Sequence, residues 1–122
     1  RNIWLYREKN RMKKNEVREH VVKIIKVTTH DVTCIMNRIS DAFETKQYHL
    51  ILCLLDQMKE VITSHRVKID LICVHWNNHL DEKTIIEYKH GNEILIEKFQ
   101  LVHENIMKDV VSCYNLDGNE YH

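Results

Sequence analysis

An all-α fold, an antiparallel bundle of long helices, is predicted by three observations. Turn-forming residues are nearly absent: the 122 residues contain no proline and only two glycines, Gly91 and Gly118. Charged residues make up 30% of the chain and are interleaved with apolar ones throughout, a folded rather than a disordered composition. Apolar residues recur in alternating steps of four and three, the spacing that lines one face of a helix. Sandwiches, barrels and glycine-cradled nucleotide folds need the tight turns that this composition lacks. One domain is expected at this length.

The first heptad run is Val21, Ile25, Thr28, Val32, Ile35, Ile39 and Ala42, which predicts a helix over 15–43. The second is Ile51, Leu55, Met58, Ile62, His65, Ile69, Ile72, Trp76 and His79, giving a helix over 47–80. The third is Ile85, Tyr88, Asn92, Leu95, Phe99, Val102 and Ile106, then Val110 and Cys113 after one shift, giving 84–116. The connections "ETKQ" and "LDEKT" are short and imply an up-down-up order. Thr84 and Glu87 have the spacing of a capping box, and Leu116-Asp117-Gly118 is the expected stop. Breaks at Thr63–Arg66 or at His90–Asn92 would instead give four to five shorter helices, nearer the average helix length. Residues 1–14 read as a separate basic segment and 117–122 as a tail.

The middle run is apolar on more than one side. Leu50, Leu52, Leu54, Cys73 and Val74 flank its seam and are the expected interaction surface, since such a helix is buried in a bundle or an interface. The longest apolar run, Leu50 to Leu55, is far too short to span a bilayer. The chain does not start with methionine, which leaves an upstream signal or membrane segment open.

Net charge is zero but polarised. Through Lys26 there are nine Lys/Arg against three Asp/Glu, a net of +6, and the remainder carries −6. The basic start, with Trp4, Arg7, Lys9, Arg11, Lys13 and Lys14, suits an anionic membrane surface or an acidic partner. Nucleic acid is not an expected partner. The preferred reading of this start is a solvated first helical turn or a ragged chain end.

Trp4-Leu5, together with Trp76 preceded by Ile69 and Ile72, resembles the tryptophan placement of spectrin-type three-helix repeats. The resemblance implies a different helix layout over roughly three quarters of the chain. The abundance of His and Ile and the single alanine depart from it, and heptad proteins in general share much of this pattern. No family is assigned.

The chemical candidates are sparse. His75 and His79 are four apart, as a zinc half-site requires, with His90 and Glu82 as completions, but a closed site needs four ligands. As heptad positions, His79 and Trp76 read instead as seam residues, so no metal and no cofactor is expected. "HENIM", His103 to Met107, lacks the second histidine of a zinc-protease helix. No P-loop, nucleophile elbow or dinucleotide fingerprint is present, and an enzyme is not expected. Cys34, Cys53, Cys73 and Cys113 are dispersed along the helical runs, which suits a reducing, cytoplasmic setting. Pairing of that even count would indicate a secreted protein. The function these features favour is a helical interaction module that binds a protein partner or itself. A membrane-contacting domain and a secreted signalling or ligand-binding protein are the alternatives.

Overall fold

The computed structural model describes residues 2–120. It contains three helices: α1 (Asn2–Glu44), α2 (Tyr48–His75) and α3 (Glu82–Glu120). No strand is present among the described residues. At 1.5 Å per residue, α1 is about 64 Å long and α2 about 42 Å.

Both suspected breaks are continuous helix. Thr63 returns its hydroxyl to the Lys59 carbonyl (3.0 Å), and His65 turns inward to a buried partner. Gly91 lowers helix propensity, but packing of Tyr88, Asn92 and Leu95 around it overrides that preference. The predicted ends need correction. α1 begins at Asn2 and not at 15, so residues 2–14 continue the helix. α2 stops at His75, five residues early, and α3 runs through Gly118. Tyr121 and His122 lie outside the described residues.

The first turn closes as a Schellman motif. Gln47 N–H donates to Ala42 O (2.8 Å) and Lys46 N–H to Phe43 O (3.2 Å), while Lys46 takes the left-handed conformation (φ 55°) that usually calls for glycine. At the second turn the cap is Asp81, not Thr84. Its Oδ1 accepts the Thr84 amide at 3.1 Å, and its hydrogen bonds to the Thr84 side chain and backbone hold its carboxyl below the usual range. The cap forms one residue past Leu80, which is buried and anchors the turn.

α2 is central: it packs against both neighbours, whereas α1 and α3 scarcely meet. The larger core joins Val32, Ile35 and Ile39 of α1 to Ile51, Leu54, Leu55 and Met58 of α2 and Ile96 and Val110 of α3. A second core closes the other end through Val17, Val21, Ile69, Cys73, Leu80 and Ile85. Register between α2 and α3 shows in the Tyr48–Tyr114 ring contact (5.4 Å) and the Arg66–Glu93 ion pair (3.9 Å). No described helix is long and apolar enough to cross a membrane.

Candidate functional site

Each of the three heptad runs carries a polar residue that the core buries: Thr28, His65 and Asn92. The register of the antiparallel helices brings all three to one level between the two cores, where all three are buried. Thr28 Oγ1 lies 2.9 Å from His65 Nδ1. With the hydroxyl donating, Nδ1 is the acceptor and the ring proton sits on Nε2. On the α3 side, a side-chain hydrogen bond with Asn92 favours the charged ring. That contact is loose, and neither His65 Nε2 nor Asn92 Oδ1 has a well-aligned partner among the described residues. Burial is the stronger influence and, helped by the Lys68 charge, it lowers the pKa of His65 below its ordinary 6.5. The ring is therefore neutral at physiological pH.

Two depressions meet at this ring. One, about 480 Å³, lies between α1 and α2 and is edged by Asp31, Cys34, Glu60, Ser64 and Lys68. The other, about 280 Å³, opens where α1 and α3 diverge, with Val21, Ile25, Tyr88 and Leu95 as walls. Its lining is the more apolar of the two. Burial raises the pKa of Tyr88 there, so the phenol remains protonated. Chemically the layer links one polar side chain from each helix, and such a contact fixes the register of the bundle.

The histidines singled out from the sequence are placed differently. α2 ends at His75, so His75 and His79 do not share a helix face. They flank Trp76 instead, with ring centroids 5.2 and 5.7 Å from it. His79 is exposed, 3.3 Å from Lys13 Nζ, and Leu80 takes the buried position expected for it. The heptad reading of His79 fails because it extends a helical period past the helix end. His90 is exposed on α3. No three His, Cys, Asp or Glu side chains converge among the described residues.

Of the expected interaction residues, Leu54 and Cys73 are core, and burial raises the Cys73 thiol. Leu52 is half-buried, whereas Leu50 and Val74 are exposed. Of the basic segment, Lys13 and Lys14 are placed near the α2–α3 turn, while the side chains of Trp4, Arg7, Lys9 and Arg11 lie outside the described ones. Cys34, Cys53, Cys73 and Cys113 are free thiols. The polar layer itself was missed as a unit, although the sequence carried a signal: Thr28, His65 and Asn92 each interrupt an apolar run, with His79 as a second interruption in the middle one.

Comparison with protein-family models, curated proteins and solved structures finds no match. Of the spectrin-like tryptophan pattern, Trp76 lies in the turn after α2, packed against the second core, and the Trp4 side chain lies outside the described ones.

Proposed function

We propose that this chain is a non-enzymatic helical association module whose partner is a second copy of itself. The observation that carries this reading is an outward apolar stripe on α2. Val67, Leu71 and Val74 are 49%, 61% and 75% exposed, in steps of four and three. Val67 and Leu71 each lie two residues beyond a buried one, His65 and Ile69, about 200° round the helix. The stripe is thus a second seam on the side away from the core, with the spacing of knobs-into-holes packing.

Charge supports a second copy over an unrelated partner. Two α2 stripes paired antiparallel about Leu71 place the end of α1 from one copy beside the N-terminal half of α2 from the other. That α1 end belongs to the +6 part of the chain, and Asp56 and Glu60, exposed on α2, belong to the −6 part. Such complementarity fixes register and orientation more than it adds affinity. Free, dispersed thiols support a reducing compartment, hence a cytoplasmic module.

A chain with Leu71→Cys as its only cysteine tests the pairing. Oxidation is expected to give a covalent dimer, because residues at the centre of a two-fold contact meet their own copies. Leu101→Cys, on an exposed face of α3, serves as the control. Equal cross-linking at the two positions would refute the stripe. A second reading, contact with an anionic membrane through the basic start, is favoured by the exposure of Ile3 and Leu5. Salt-sensitive binding to phosphatidylserine vesicles, lost on removing residues 1–12, would establish it.

A further inference from the structure

We infer that the self-association surface continues from α2 onto α1, where Lys13 of one copy forms an ion pair with Asp31 of the other. This contact presupposes the α2 stripe and adds to it a second helix and a charge pairing that fixes its register.

α1 carries an outward stripe of its own beside the one on α2. His20, Ile24, Val27, Asp31 and Cys34 follow in steps of four and three, the spacing of one helix face. Val27 is 45% exposed and Ile24 is half-buried. Val27, Asp31 and Cys34 edge the depression between α1 and α2 together with Ser64 and Lys68. Ser64 and Lys68 stand three residues before Val67 and Leu71, so the depression runs along the edge of the α2 stripe. The two stripes therefore share one side of the molecule. Lys13 belongs to this side as well, because it precedes Asp31 by eighteen residues, five full turns.

Two contacts set the register between α1 and α2. Thr28 Oγ1 lies 2.9 Å from His65 Nδ1, and Lys13 Nζ lies 3.3 Å from His79 Nδ1. Six residues on from His65 is Leu71, and six back from Thr28 is Val22, so these two stand at one level. Pairing the α2 stripes antiparallel about Leu71 lays the two α1 helices along the same flank, antiparallel to each other about Val22. Lys13 is nine residues before Val22 and Asp31 is nine after it. The two-fold thus brings each Lys13 level with the other copy's Asp31, twice in the dimer.

Both residues are half-buried, and Asp31 makes no ion pair among the described residues. A parallel pairing would instead set Lys13 against Lys13 and Asp31 against Asp31. Like charges so placed suppress the wrong orientation.

Sedimentation equilibrium of the full chain tests the pairing. Lys13→Glu and Asp31→Lys should each weaken dimerisation about tenfold, since each turns two partly screened attractions into repulsions. The double variant should return to within about twofold of wild type. Neither residue belongs to a core, so circular dichroism should be unchanged. Chains with Lys13→Cys or Asp31→Cys as the only cysteine give a second readout. Oxidising their mixture should yield a covalent dimer, and oxidising either alone should not. Single reversals without effect, while Leu71→Glu still dissociates the dimer, would overturn the pairing and leave the α2 contact standing. A double variant no tighter than the singles, or cross-linking of either cysteine chain with itself, would also overturn it. A wild-type chain that never dimerises would overturn both.

Discussion

His65 is the residue on which the interior turns. Truncation to alanine removes a buried ring and leaves Thr28 without its partner, so His65→Ala should destabilise the fold by about 2–4 kcal/mol in denaturant unfolding. Its pH dependence has a definite sign. The folded pKa lies below the ordinary 6.5, so the unfolded chain binds the proton more readily. Stability should be fully present above pH 6.5 and fall as the pH drops from there toward the folded pKa. His65→Leu should remove that acid slope and, by leaving the buried Thr28 without its partner, cost about 1–3 kcal/mol at neutral pH. A slope that persists in the variant would place the titrating group elsewhere. In the sequence, His65 was legible as a seam position, and so were Thr28 and Asn92. Their meeting was not, because it depends on the offset between helices, and that offset is set by turns whose ends the sequence left uncertain. His79 shows the converse error: a period counted past His75 assigns a core role that the adjacent Leu80 fills.

Helix existence and order followed from the heptad runs, whereas helix ends did not. Local signals misled where packing outweighed them. Thr63–Arg66 and His90–Asn92 contain poor helix formers, yet each surrounds a side chain, His65 or Asn92, that the core holds in helical register. The cap signals were likewise one turn out of place, with Asp81 taking the role read for Thr84. Two substitutions follow from backbone geometry. Lys46 adopts φ 55°, a conformation that costs a residue with a side chain about 1–2 kcal/mol. Lys46→Gly should recover about 1 kcal/mol of that as a higher thermal midpoint, partly offset by the freedom glycine gains when unfolded. Gly91 sits mid-helix with open space where its Cβ would be. Gly91→Ala should therefore stabilise by about 0.5–1 kcal/mol. A loss of stability would mean that the position needs glycine for close approach.

At the level of the whole molecule, α2 has two apolar sides and the chain has two charged parts of opposite sign. One side of α2 makes the intramolecular cores, and the other remains on the surface with heptad spacing intact. The sequence showed the excess of apolar surface on this helix but named only Val74 of the three residues that form the stripe. Leu54 and Cys73, chosen with Leu50, Leu52 and Val74, face inward, while Val67 and Leu71 were absent from that choice. The direction of a side chain depends on helix phase, and the middle run is apolar too nearly all round for the sequence to fix that phase. Salt should weaken the association through screening of the charge contacts, with a residual apolar component at high ionic strength.

The central claim is that the exposed α2 stripe holds two copies together, and sedimentation equilibrium tests it directly. The wild-type chain, 14.8 kDa as one copy, should sediment at twice that mass, and Leu71→Glu should sediment as a single copy with helical content unchanged. A wild-type protein that stays at 14.8 kDa across the concentration range, or a Leu71→Glu variant that remains a dimer, would contradict it.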